Sequence, residues 1–166
     1  MARRLRPVEL DFTASAPVRL AFTATLAAPP RAVHRSLAVE TGSTPSWFTA
    51  VASAVPRDEG AGRTVRLRVG ISFEETVLAS EPGALHAYRV DATNAPGVTA
   101  MAEEWALSPA GRGTLLRWTV AADGPGPFRL ALRLAGPGLG LSFRGAARRL
   151  DRRLTPARPP SPGSAR

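Results

Sequence analysis

The chain has neither cysteine nor lysine. Those two absences exclude disulfides, thiolate chemistry, Cys-type zinc sites, Schiff-base lysines and the phosphate-gripping lysine of a P-loop. All basic side chains are therefore arginine, which reads as the compositional bias of a genome rather than as a functional choice. Histidine is scarce as well, with two residues, so a His-rich metal site is not expected and neither a metal nor a cofactor is assigned. Long apolar runs are missing too. Arg19, Arg129 and Arg133 interrupt the best candidates before the roughly 20 residues that a membrane-crossing helix needs. Glu9 and Asp11 stand where a secretory signal would require apolar continuity. The expectation is a soluble, cytoplasmic protein.

The net charge of +9 is unevenly placed: residues 127–166 carry +8, Arg3, Arg4 and Arg6 add +3, and residues 7–126 carry −2. A nucleic-acid binder would carry its basic stripe on the folded body, beside aromatic platforms or a recognition helix, so nucleic acid is not an expected partner. Basic ends of this kind read as a solvated helix face and a tail. A further reading gives the Arg-rich C-terminal helix a weak contact with anionic membranes, where each exposed Arg contributes roughly 1 kcal/mol at low salt. The length fits one domain able to bury its own core. The expected organisation is an N-terminal extension over 1–16, one domain over 17–155 and a Pro/Ser/Arg-rich tail over 156–166, too poor in apolar residues to fold.

Periodicity supplies the elements. Val18, Leu20, Phe22, Ala24 and Leu26 alternate as a half-buried strand. Pro30 suits the first turn of a helix over 31–39 whose Val33 and Leu37 share a face. Ser43 or Thr44 caps a second short helix carrying Trp47, Phe48, Val51 and Val55 at helical spacing, with one of the two aromatics over the core and the other at a rim. Five strands follow, over 63–69, 72–80, 85–93, 99–108 and 114–121, separated by Gly- and Pro-containing turns short enough to favour an antiparallel meander. Their inward residues include Val65, Leu67 and Val69, then Phe73, Glu75 and Val77, then Tyr88 and Val90. Met101, Glu103, Trp105 and Leu107, with Leu116, Trp118 and Val120, complete that face. Leu139, Phe143, Ala146, Leu150 and Leu154 mark one face of a terminal amphipathic helix, with Arg148, Arg149, Arg152 and Arg153 opposite. Gly136-Pro137-Gly138 is expected to break or kink the helical pattern that begins near Phe128. A sheet that buries one face against a single helix tends to leave a pocket between them.

Several segments in this order resemble the SRPBCC group of the START-like, helix-grip superfamily, in particular its polyketide cyclase/dehydrase and lipid-transport branch. They are Ala28-Pro29-Pro30-Arg31-Ala32-Val33-His34-Arg35-Ser36-Leu37 after the first strand, Trp47, Phe73-Glu74-Glu75-Thr76-Val77 with Glu81-Pro82-Gly83, Tyr88-Arg89-Val90, Trp105 with Ser108-Pro109, and Gly113-Thr114 with Arg117-Trp118. The resemblance runs from about Val18 to Leu154. It implies an α+β helix-grip fold of order β-α-α-β-β-β-β-β-α, in which a curved six-stranded antiparallel sheet wraps a long C-terminal helix. It also implies an elongated cavity that takes lipids, polyketides or other apolar molecules. No catalytic residue of the group maps onto this sequence.

The residues themselves nominate a site. Glu75 and Glu103, aimed into an apolar cavity, would be desolvated and held at raised pKa, as a general acid or base requires, and Tyr88 could orient a ligand hydroxyl or carbonyl. The tandem Glu103-Glu104 puts one carboxylate inward on a regular strand. The competing reading is a bulge that reorients these groups, or pairing with arginines of the sheet. The expected ligand-binding lining is Trp47, Phe48, Phe73, Tyr88, Met101, Trp105, Trp118 and Phe143, against the alternative that such side chains are simply core. Two functions stay open: binding of a small hydrophobic or amphipathic molecule, or a cyclase/dehydratase-type reaction that uses the cavity carboxylates.

Overall fold

Alternation along the strands decides where the core forms, and in the computed structural model, which describes residues 1–156, it forms on one face of a single antiparallel sheet. The elements are β1 (Arg3–Arg4), α1 (Phe12–Ser15), β2 (Val18–Leu26), α2 (Pro30–Ala38), α3 (Thr44–Trp47), β3 (Val51–Arg57), β4 (Gly62–Leu67), β5 (Ser72–Glu81), β6 (Leu85–Thr93), β7 (Ala100–Ala110), β8 (Gly113–Asp123) and α4 (Gly126–Leu154). The strands lie in the order β2-β8-β7-β6-β5-β4-β3, with β1 added beside β6. The first long strand thus pairs with the last, Val18 with Ala122 through Leu26 with Thr114, while the others follow as a meander. This is the helix-grip arrangement, with α4 packed on the sheet's inner face along β2.

The sheet has eight strands rather than six. The extra long one, β3, replaces the C-terminal half of the expected second helix, which ends at Trp47. Val51 and Val55 fit either period, but Pro56 decides it. A helix interior would lose a hydrogen bond there, whereas an edge strand has no outer partner to satisfy. The other addition, β1, belongs to the N-terminal extension. Pairing of β6 with β7 runs only from Leu85 with Ala106 to Arg89 with Ala102, after which the strands diverge. Residues 3–6 enter that gap: Leu5 N–H donates to Asp91 O at 2.8 Å and Arg6 N–H to Thr99 O at 2.9 Å. Leu5 then packs with Val90 and Val98.

Two further expectations change. Val69 lies beyond the end of β4 in the Gly70 turn and is 79 % exposed, not inward. The Gly136-Pro137-Gly138 segment does not break α4, which continues as one helix from Gly126 to Leu154. Its glycines serve packing: a Cβ on Gly140 would lie 2.9 Å from Phe22 Cε1, and one on Gly136 would meet Leu20 at 3.5 Å, so their absence lets the helix approach β2. The tail expected from 156 onward falls, apart from Pro156, outside the described residues. Among the described residues no helix is long and apolar enough to cross a membrane.

Candidate functional site

Between the sheet, α3 and the N-terminal half of α4 lies a cavity of about 310 Å³. Its walls are largely apolar: Trp47 and Phe48 from the α3 end, Val65 and Phe73 from β4 and β5, Met101, Trp105, Trp118 and Val120 from β7 and β8, and Phe128, Leu132, Ala135 and Leu139 from α4. One end is polar, formed by Arg63, Glu75, His86, Tyr88 and Glu103.

Cross-strand register builds that polar end. Arg63 of β4 stands opposite Glu75 of β5, and the two form a buried ion pair from the Arg63 Nε–H to Glu75 Oε2. Tyr88 of β6 stands opposite Glu103 of β7, and its hydroxyl donates to Glu103 Oε2 at 2.6 Å. Trp105 and Trp118 are likewise opposite one another and stack at 5.2 Å. Their indole N–H groups are absorbed by the same network: Trp105 donates to the Tyr88 hydroxyl at 3.0 Å and Trp118 to Glu103 Oε2 at 2.9 Å. The Arg63 guanidinium lies 4.2 Å from the Tyr88 ring centroid, a cation–π contact that ties the two pairs together.

Burial dominates the electrostatics. It pushes the Glu75 carboxyl up to about 7 despite the attraction of Arg63, with the Glu103 charge acting in the same direction as burial. Burial also raises Glu103, opposed by the hydrogen bonds from Tyr88 and Trp118 and by Arg63. The Tyr88 phenol is raised well above its usual value by burial and then by the Glu103 charge. Burial works against the charge of Arg63, but the facing carboxylates hold its pKa above the ordinary value. His86 is lowered to about 3 by burial and then by the charges of Arg63 and His34, so it is neutral at physiological pH.

Seven of the eight residues expected to line the site do so: Trp47, Phe48, Phe73, Tyr88, Met101, Trp105 and Trp118. Phe143 does not. It is fully buried behind the wall, packed on Trp118 at 5.9 Å and Trp105 at 6.1 Å. Trp47 is buried in the core at the end of α3, while Phe48, extended after the helix, is only half-buried; the two rings stack at 5.8 Å and both line the cavity. Glu103 points inward, while Glu104 takes the other face and accepts from Thr13 Oγ1 at 3.0 Å. Glu75 pairs with an arginine of the sheet, as the competing reading had it.

Sequence reasoning missed Arg63 and the wall from α4. The first had a signal, since Arg63 shares the alternation of Val65 and Leu67. The second had a weaker one, Phe128, Leu132, Ala135 and Leu139 at helical spacing, masked by the glycines and proline. His34 is buried on α2 and shares a hydrogen bond with Ser80 Oγ at 3.1 Å, its ring edge-on to His86 at 6.2 Å. Among the described residues no group of three or more His, Asp or Glu side chains could hold a metal ion.

Known proteins match both the sequence and this architecture. The family described as polyketide cyclase/dehydrase and lipid transport matches residues 17–155. Uncharacterized proteins of Mycobacterium tuberculosis and Mycobacterium bovis are each 35 % identical over 156 residues, covering 91 % of this chain and 92 % of theirs. A START superfamily protein from Mycobacterium smegmatis superposes with a TM-score of 0.64 at 14 % identity, covering 82 % of this chain and 96 % of its own. Ginseng major latex-like protein 151 from Panax ginseng superposes with a TM-score of 0.65 at 9 % identity, covering 84 % and 98 %. At such identities the two structures speak for the fold alone.

Proposed function

The chain belongs to the polyketide cyclase/dehydrase and lipid transport family, an SRPBCC, START-like family, and from that premise we propose that it binds a small hydrophobic or amphipathic molecule between the sheet and α4. The observation that carries this reading is the 310 Å³ cavity with apolar walls and a single polar end. That combination suits a guest whose body loses water contact while one polar group keeps its hydrogen bonds. A lipid, a polyketide or an aromatic metabolite has this character. Titration with the neutral dye Nile red, together with native mass spectrometry after gentle extraction, tests the proposal. Saturable dye binding that Ala135→Trp abolishes is the expected result; absence of binding by dye and by extracted molecules alike overturns it.

A second reading has its own observation, the two carboxyls with raised pKa at the polar end. A general acid or base working near neutrality needs a carboxyl displaced upward in this way, and Tyr88 adds a hydrogen-bond donor for an oxygen of the substrate. In this reading the protein catalyses a cyclase- or dehydratase-type proton transfer. Glu75→Gln and Glu103→Gln test it: unchanged turnover of an identified substrate in both variants removes these roles.

We further propose a weak contact of the outer face of α4 with anionic membranes. Leu130, Leu134 and Leu141 are 57 %, 72 % and 71 % exposed and fall on one stripe with Pro137, and Arg144, Arg148 and Arg152 continue that side toward the C-terminus. An apolar stripe beside a basic one suits the boundary between headgroups and acyl chains.

A further inference from the structure

We propose that the guest is an amphipathic amine, its ammonium seated against Glu103 Oε1 and its apolar body held among Trp105, Trp118 and Met101. The proposal rests on the cavity-binding reading and names the chemistry of its guest.

Formal charge is the first argument. The polar end holds one guanidinium and two carboxyls, and the Arg63 charge is committed to Glu75. Among the described residues no cation pairs directly with Glu103: its hydrogen-bond partners, Tyr88 and Trp118, are neutral donors, and Arg63 acts on it only from a longer distance. A neutral guest leaves that imbalance in place, to be relieved only by a proton on one of the two carboxyls. An anionic guest adds a third negative group against one arginine. A guest with charge +1 brings the enclosed set to zero with both glutamates ionised, which is the arrangement that costs least in a low-dielectric enclosure.

The hydrogen bonds point the same way. Both donors converge on Glu103 Oε2, and Oε1 has no partner among the described residues. Two bonds into one oxygen stabilise the carboxylate and leave the other oxygen for a donor that the protein does not supply. Aromatic rings surround this position, with Trp105 and Trp118 stacked beside it and Phe48 edge-on to Trp118 at 5.7 Å, and ring faces attract organic cations. His86, the remaining titratable group at this end, is neutral and does not repel a cation.

Displacement of Nile red by three compounds sharing one skeleton, 4-phenylbutylamine, 4-phenylbutan-1-ol and 4-phenylbutanoic acid, tests the assignment. At neutral pH the amine should displace the dye at a concentration about tenfold or more below that of the acid, with the alcohol between them. In Glu103→Gln, whose amide oxygen still accepts from Tyr88 and Trp118, the advantage of the amine over the alcohol should vanish. The order of the three on the unaltered protein decides even if that variant fails to fold. Equal displacement by all three, or preference for the acid, overturns the amine assignment while leaving the container intact; failure of Nile red itself to bind overturns both.

Discussion

Arg63 is the residue whose removal most directly probes the buried polar end. Its side chain is 13 % exposed and that of its partner Glu75 is 4 % exposed. Arg63→Met keeps the length and the apolar stem but removes the charge, leaving Glu75 buried and uncompensated. Breaking a buried pair from one side costs about 3–5 kcal/mol. For a chain of this size that is a fall in Tm on the order of 10 °C. The pH dependence separates this cause from lost packing. The folded pKa of Glu75, about 7, lies above its unfolded value of 4.5, so the stability linked to its neutral form is complete below 4.5 and is lost as pH rises through the folded value. Removing Arg63, which lowers that pKa, moves the folded value further up and enlarges the loss at high pH. Glu103, which Arg63 also lowers, adds in the same direction. Urea unfolding of both proteins should therefore differ by about 3–5 kcal/mol near pH 8 and by only about 1 kcal/mol near pH 4, where both carboxyls are protonated and only the contact over Tyr88 is missing. A difference of the same size at both pH values would refute the assignment of charge pairing to Arg63.

Other substitutions probe the helix and the cavity. Gly138 has open space around it on α4, so Gly138→Ala should stabilise by about 1 kcal/mol through helix propensity. Gly140→Val, which presses on Phe22, should instead destabilise by about 1–3 kcal/mol; chemical denaturation of the pair reads both signs. Ala135→Trp, on the cavity wall but exposed, should abolish Nile red binding while lowering Tm by no more than a few degrees. Leu134→Glu should weaken sedimentation with anionic liposomes, and binding by the unaltered protein should fall as salt rises; salt-insensitive binding would count against the contact.

The fold was legible because its strands alternate cleanly and its turns carry Gly and Pro at the right places. The register that puts Glu103 inward follows from Trp105 and Leu107 alone. What escaped were features decided by tertiary context. Val51 and Val55 satisfy a helical period as well as a strand, and only the edge position beside β4 settles the matter. Residues 3–6 carry no strand pattern, and their pairing exists because β6 and β7 separate. At the site, Phe143 was assigned to the lining because helical spacing shows which face turns inward but not where along the helix the cavity stops. Arg63 escapes the sequence because an arginine at the start of a strand, next to a polar turn, reads as solvated, although its alternation with Val65 and Leu67 places it inside.

That boundary along α4 has a dynamic consequence. Phe143, Ala146, Ala147 and Leu150 are almost wholly buried and pack with Trp105, Trp118 and Leu116 as ordinary core. One turn earlier the helix changes character: Phe128, Leu132 and Leu139 are only half-buried over the cavity, Leu130 and Leu134 face outward, and Pro137 removes a hydrogen bond from the middle. Opening the N-terminal half sacrifices little apolar contact, whereas opening the C-terminal half dismantles the core. If a guest enters where opening loses least contact, the wall formed by residues 128–140 is the expected entrance, with residues 143–150 as its anchor. Amide hydrogen exchange should show about 100-fold or more faster exchange in the first segment than in the second, a gap of about 3 kcal/mol in opening free energy. A bound guest that fills the space under Leu132 and Leu139 should slow the first segment and leave the second unchanged. Uniform protection along the whole helix would mean that the entrance lies elsewhere.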